Sequence, residues 1–89
     1  MKSYELEISN VCDGLNGEIT KLKSIRNTFY ADTQGNQFHN ALAELHKRNM
    51  KFQDDTLNTI LEYPNAESID AEIKVLQGII QVLKAKISA

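Results

Sequence analysis

Two histidines, His39 and His46, are the side chains best suited to bind a metal ion or transfer a proton. They are seven residues apart, so on a helix they share one face but are separated by two turns. A helical metal site needs ligands three or four residues apart, or a convergent third ligand, and the sequence offers neither. We therefore predict that both lie at the surface or rim of a helix. A phosphorelay histidine is the alternative, although nothing around either residue marks it as the acceptor.

The single cysteine and a pair of adjacent carboxylates are the other candidates for chemistry. Cys12 lies beside an apolar helical stripe with no histidine near it in sequence, which predicts a small buried hydrophobic side chain rather than a nucleophile. Asp54 and Asp55 would point about 100° apart on a helix, so we expect a solvated face, with a binding edge as the alternative. Because no nucleophile, base and orienting group occur together, we predict no enzymatic activity, no cofactor and no metal.

A basic and aromatic region in the first half of the chain suggests a site for an anionic ligand. Its cationic members would be Lys21, Lys23, Arg26 and His39. Phe29, Tyr30 and Phe38 lie nearby, and cations beside aromatic rings can hold a nucleotide or another anion, particularly in an oligomer. The alternative, which we favour, is a solvated face that pairs with the acidic segment 53–72 of another protomer.

The charges of the chain fall into blocks of opposite sign. The net charge is −2, but residues 1–19 carry Lys2 against four carboxylates, whereas residues 20–52 carry six bases and two acids. Residues 53–72 hold six acids and no base, and residues 73–89 hold three lysines and no acid. This division favours specific association over general nucleic-acid binding, which needs a broadly basic surface.

The length of the chain limits the core that it can build. With 89 residues there is room for one domain, which buries only about 60 to 65% of its unfolded surface. No apolar run approaches the ~18 residues of a membrane span, and the N-terminus lacks the apolar core of a signal peptide. One cysteine excludes an internal disulfide. We expect a single helical domain over residues 1–89, located in the cytoplasm and supported by a second subunit.

The spacing of apolar residues predicts a long first helix. They recur every three or four positions from Tyr4 to Phe29, which indicates a helix over about 4–30. The alternative is a short strand with Tyr4, Leu6 and Ile8 on one face, and a helix that begins only after Asp13 and Gly14. A lone strand would have no partner elsewhere in the chain, so the helix is preferred.

A second helix is predicted over 37–62. Turn-forming residues at 31–36 indicate a loop, after which the apolar stripe continues until Pro64 ends the helix. Asn49 falls at a core position of this helix. Two readings remain open for it: a buried residue that sets the helix register, or a residue that the helix turns toward solvent.

The last segment has a heptad pattern and predicts a third helix over 67–87. Isoleucine occupies the a positions and mainly leucine the d positions of a coiled-coil seam, which is typical of helix association. A second apolar row adjoins the seam, so this helix is expected to have neighbours on two sides. The predicted partner or oligomer interface consists of Ile69, Ile73, Leu76, Ile79, Ile80, Leu83 and Ile87.

Together these patterns predict an all-α protein: a long helical hairpin plus a third amphipathic helix, arranged as a three-helix bundle or an oligomeric helical assembly. Its apolar helix surface exceeds what one small bundle buries. We therefore predict a non-enzymatic interaction protein, a homo-oligomer or a binder of a protein partner, that acts as an assembly adaptor, chaperone or stoichiometric inhibitor. An oligomeric anion binder is the alternative.

About 60 residues also resemble a known family. Thr33-Gln34-Gly35 stands where the small helical hairpin proteins of type VII secretion have their Trp-x-Gly turn, and Tyr63 begins a segment with the Tyr-x-x-x-Asp/Glu spacing of their export signal, which ends at Glu67. The resemblance implies a two-helix hairpin and secretion that depends on Tyr63. The chain has no tryptophan, and a third helix follows the segment that resembles the signal.

Overall fold

The computed structural model describes residues 2–31 and 34–88 and shows that the chain is all-helical over these ranges. Four helices follow one another: α1 (Ser3–Phe29), α2 (Gln34–Lys47), α3 (Asp55–Glu62) and α4 (Ala66–Ser88). The predicted fold class is confirmed, and the predicted number of helices is wrong. The first and last helices have nearly the expected bounds, whereas the predicted helix over 37–62 is two helices.

The long helices α1 and α4 pack against each other in antiparallel orientation. Arg26, near the end of α1, contacts Asp70, near the start of α4, while Tyr4 and Ile8 lie beside Leu83 at the opposite end. At 1.5 Å per residue the two helices run about 40 and 35 Å, which gives the molecule its longest dimension of 50 Å. The strand alternative for residues 4–8 is wrong, because they are helical from Ser3 onward.

The second predicted helix ends early because Asn49 has a positive φ of 68°. The Met50 N–H donates to the Leu45 carbonyl at 3.1 Å, and the Asn49 N–H donates to the His46 carbonyl at 3.1 Å. These two bonds and the left-handed residue between them form a Schellman motif, in which asparagine is the commonest substitute for glycine. Asn49 therefore lies at the end of helix α2. Neither of the two roles predicted for it inside a longer helix applies.

Asp54 then begins α3. Its Oδ1 accepts from the Thr56 N–H at 2.8 Å, which satisfies one of the free donors of the first turn. Helix α3 ends before Pro64, as predicted, and Asn65 precedes α4. The Asn65 Oδ1 accepts from the Ser68 N–H at 2.8 Å, and the Ser68 hydroxyl donates to the Asn65 carbonyl at 2.7 Å. Three short-range caps thus fix the chain between Asn49 and α4.

The buried residues form one cluster that runs along the α1–α4 pair and extends to the short helices. Its members are Cys12, Ile19, Leu22, Ile25, Tyr30, Leu42, Ile60, Ile69, Ile73 and Ile80. We call residues 3–15 and 75–88 the arm, because there the structure describes only α1 and α4. Residues 16–31 and 34–74, where α2 and α3 join them, are the body.

Gly35 allows α2 to start directly against the end of α1. A Cβ built at this position would meet the Phe29 carbonyl oxygen and lie 2.6 Å from the Tyr30 Cα. Both are backbone atoms that cannot turn away. Beside this contact the rings of Phe29 and Phe38 stack at 5.5 Å with an interplanar angle of 10°. The two-helix hairpin that the family resemblance implies does not form across this turn, since α1 pairs along its length with α4.

Candidate functional site

Two of the predicted anion-binding cations have ion-pair partners inside the chain. The Lys21 Nζ lies 3.0 Å from the Asp55 Oδ2, and the Arg26 Nε lies 2.6 Å from the Asp70 Oδ1. The hydrogen bond to Asp55 is the main cause that raises the pKa of Lys21. Both carboxylates belong to the acidic segment 53–72. Lys21 and Arg26 thus pair with this segment within one chain, while the pairing between protomers stays a prediction.

His39 is buried, which corrects the prediction that it lies at the surface. Its Nδ1 lies 2.9 Å from the Ile60 carbonyl oxygen. Since a carbonyl only accepts, Nδ1 must carry the proton and donate. The structure therefore gives His39 a helix-joining contact between α2 and α3, while His46 is exposed as predicted. Of the four predicted anion-binding residues, only Lys23 is exposed with no ion pair among the described residues.

Tyr30 is the buried polar residue that sequence reasoning missed. Its hydroxyl donates to the Ile60 carbonyl at 3.2 Å and to the Tyr63 carbonyl at 2.5 Å. Burial raises the pKa of this phenol. Tyr30, directly after α1, therefore holds the last turn of α3 and the residue that follows it. No signal in the sequence points to this role, because both acceptors are backbone atoms far along the chain.

The other candidates for chemistry have structural roles. Cys12 is 2% exposed within the apolar cluster, so the prediction of a small buried hydrophobic side chain is confirmed. Asp54 caps α3, and Asp55 is an exposed ion-pair partner. Across residues 2–31 and 34–88, no three His, Cys, Asp or Glu side chains are placed to hold a metal ion.

The predicted interface on α4 separates into an inner and an outer row. Three of its residues are buried within the chain, namely Ile69, Ile73 and Ile80. Three others are half-buried, namely Leu76, Leu83 and Ile87. The heptad seam thus largely packs inside the chain. Ile79 is different, since it is 42% exposed and lies in the adjoining row with Val75 and Val82.

Large apolar side chains from both helices are exposed on the arm. Those that line the groove between α1 and α4 we call the arm face, and its members are Tyr4, Val11, Val75, Ile79 and Val82. Val82 is the most exposed of them, at 72%, and Val75 is 55% exposed, whereas Leu6, also exposed on the arm, does not line the groove. Single exposed apolar residues are ordinary, but these five form a set that spans two neighbouring helices.

Leu83 connects the two sides of the arm face. It lines one surface concavity with Tyr4, Glu7, Ile8 and Val11, and a second with four residues of α4. Those four are Val75, Gly78, Ile79 and Val82. The groove between α1 and α4 is therefore lined by apolar side chains of both helices and is open along the arm.

The opposite side of α4 is polar. A shallow surface there is lined mainly by Lys74, Gln77, Gln81 and Lys84. These residues and the arm face lie on different sides of α4. The helix therefore carries a second apolar row beyond the one that packs on α1. A smaller exposed apolar set lies in and just after α2 and consists of Phe38, Leu45 and Met50.

None of the four described helices is long and apolar enough to cross a membrane. No family model, no curated protein and no solved structure matches this chain.

Proposed function

We propose that this chain is a non-enzymatic interaction protein that docks the arm face on a helical surface of another polypeptide. The roles that fit are those of an assembly adaptor, a chaperone or a stoichiometric inhibitor. The observation that carries the proposal is the continuous exposure of Tyr4, Val11, Val75, Ile79 and Val82 along the groove of the arm.

The energetic reason is the apolar area that this surface leaves in water. Burial is worth about 25 cal/mol for each Å² of apolar surface, so covering five large side chains favours association. The groove is also shaped for a helix. In the body, the same α1–α4 pair already packs with the short amphipathic helix α3, whose Ile60 is fully buried.

The polar side chains of the body support the same proposal. Lys21, Arg26, His39 and Tyr30 all contact groups of a different helix or its flanking residue. Lys21 and Tyr30 join α3 to the end of α1, His39 joins α2 to α3, and Arg26 joins α1 to α4. Three of the four residues offered for ligand binding thus contact other parts of the body, from which the arm projects.

The test replaces apolar side chains of the arm face by charge. Ile79→Lys with Val82→Lys is expected to remove docking without unfolding the chain, because both side chains are exposed. Gln77→Lys with Gln81→Lys is the matched control, with the same added charge on the polar side of the same helix. Cross-linking in the native host followed by mass spectrometry would identify contacts made through arm peptides. Equal cross-linking of the wild type and the Ile79/Val82 variant would contradict the proposal.

A further inference from the structure

Each row of the arm face ends at a glutamate on the side of the body. On α1, Glu18 follows Val11 by seven residues and Tyr4 by fourteen, so it lies in the same row, nearer the body. On α4, Glu72 precedes Val75 by three residues and ends the exposed row of that helix. The apolar groove of the arm therefore has a carboxylate on both sides where it reaches the body.

Tyr63, the residue after α3, lies between these two glutamates. Burial is the first cause that raises the pKa of its phenol, and nearby carboxylates are the second. These carboxylates belong to Glu72, Glu62 and Glu18, one each on α4, α3 and α1. The ring of Tyr63 is half-buried and packs on the apolar cluster. The groove is thus closed by α3 and Tyr63 at the body and is open toward the tip of the arm.

Negative charge exceeds positive charge at the closed end of the groove. Lys21 pairs there with Asp55 at 3.0 Å and also lies near Glu18 and Glu62. Together with Glu72, four carboxylates of the described residues lie at this end beside Lys21. An acidic end of an apolar groove attracts a partner that carries positive charge at the matching position and repels one that carries negative charge.

The open part of the groove has the length of a short helix and balanced charges at its tip. From Tyr4 to Glu18, α1 runs about 21 Å at 1.5 Å per residue, which is the length of a helix of about four turns. Near the tip, Glu7 lines the groove on α1, and Lys86 follows Val82 by four residues on α4. The requirement for positive charge therefore falls at the closed end.

We propose that the occupant of the arm face is a basic amphipathic helix of about four turns from a partner protein. Its apolar side chains cover the five residues of the arm face, and its lysine or arginine side chains pair with Glu18 and Glu72. This rests on the proposed function, because it names the chemistry of the partner for that docking surface. On the same side of the long pair, the body already holds the short helix α3, whose Ile60 is fully buried.

Two designed peptides of about 14 residues test the charge of the partner against the full chain. Both carry leucine at helical spacing, and every other position is lysine in one and glutamate in the other. Fluorescence anisotropy is expected to give the lysine peptide a dissociation constant at least about tenfold lower. Its binding should be lost in the Ile79→Lys, Val82→Lys variant. It should persist in the Gln77→Lys, Gln81→Lys control, which adds the same charge elsewhere on α4.

Removing the two glutamates of the groove separates local attraction from the general charge of the chain. Glu18→Gln with Glu72→Gln is expected to raise the dissociation constant of the lysine peptide about fivefold, because two exposed ion pairs are lost. Glu5→Gln with Asp13→Asn is the matched control, which removes the same charge from α1 outside the row of the arm face. It should change the constant less than about twofold. Circular dichroism confirms that each variant is folded.

Four outcomes would overturn the proposal of a basic helix: no binding of the lysine peptide, equal or tighter binding of the glutamate peptide, equal effects of the two glutamate-removing and control pairs, or peptide binding that survives Ile79→Lys with Val82→Lys. Failure of the docking proposal is distinguishable. If one of these outcomes occurs while that lysine variant loses its cross-links to a host protein, only the basic helix is wrong. If the variant keeps both the peptide and the cross-links, both proposals fail.

Discussion

The body and the arm use the same pair of helices but are held together in different ways. In the body, polar contacts join elements distant in sequence, among them Lys21 with Asp55, Arg26 with Asp70 and Tyr30 with Ile60. In the arm, the described residues show no side-chain hydrogen bond or ion pair between α1 and α4, and the two helices meet through apolar side chains alone. Specific polar contacts define one arrangement, whereas apolar packing accepts any suitable surface. The body is therefore fixed by specific contacts, whereas the arm leaves an apolar face exposed.

The largest effect should come from a cavity in the body. Ile60→Ala is expected to lower the free energy of unfolding by about 3 kcal/mol, because Ile60 is fully buried between elements. Val82→Ala on the arm face is the matched comparison and should change it by less than about 0.5 kcal/mol at concentrations where the chain is monomeric. Urea unfolding followed by circular dichroism measures both. Equal losses would mean that Val82 contributes to the fold and would break the distinction between the two regions.

Replacing a glycine by alanine should change the stability of the chain in opposite directions in the body and in the arm. Gly35→Ala is expected to cost about 2 kcal/mol, because the new Cβ would press on backbone atoms of Phe29 and Tyr30. Gly78→Ala in the arm meets open space and should stabilise the chain by about 0.5 to 1 kcal/mol through better helix propensity. Thermal unfolding of the two variants side by side is sufficient. A tolerated Gly35→Ala would show that α2 does not start against α1 as described.

Removing one hydroxyl from the body should have a smaller effect. Tyr30→Phe leaves the Tyr63 carbonyl without this donor and removes one donor from the Ile60 carbonyl, which should cost about 1 to 1.5 kcal/mol. Tyr4→Phe is the control in the arm, where the side chain is half exposed, and should be neutral. Chemical denaturation compares the two. A neutral Tyr30→Phe would mean that shape alone holds α3.

The same tyrosine should make stability depend on alkaline pH. Burial raises the pKa of Tyr30 in the folded chain, and burial followed by the nearby carboxylates of Glu72, Glu62 and Glu18 raises that of Tyr63. Above about pH 10 the unfolded chain then releases these protons more readily, so the free energy of unfolding falls as pH rises. Below that pH the contribution is fully present. Tyr30→Phe should show a shallower fall than the wild type, and an unchanged profile would contradict the assignment.

The sequence predicted the long helices well because their signals are local. An uninterrupted three-and-four spacing from Tyr4 to Phe29, and the heptads after Ile69, leave little choice of structure. The break within 37–62 was missed although its signals were present. Basic residues before Asn49 and an aspartate at 54 are typical of a helix end and a helix start, but the apolar spacing that continued to Phe52 was given more weight.

The pairing of helices could not be derived in the same way. Every helix offers an apolar stripe, and nothing in the spacing says that α1 packs on α4 rather than on the helix that follows it. The burial of His39 depends on a carbonyl 21 residues away, and the partners of Lys21 and Arg26 depend on where α3 and α4 lie. The candidate site shows the same limit: the second apolar row of α4 was predicted, but the sequence does not say which of the two rows stays exposed.

Hydrogen exchange of the wild-type chain, measured peptide by peptide at low and at high micromolar concentration, tests the central claim most directly. The account predicts that amides of the body are protected equally at both concentrations, because α2 and α3 are held within the chain. At low concentration, amides of residues 3–15 and 75–88 should exchange faster than those of the body, because only packing between two helices protects the arm. Arm amides as well protected as those of the body at low concentration would contradict it.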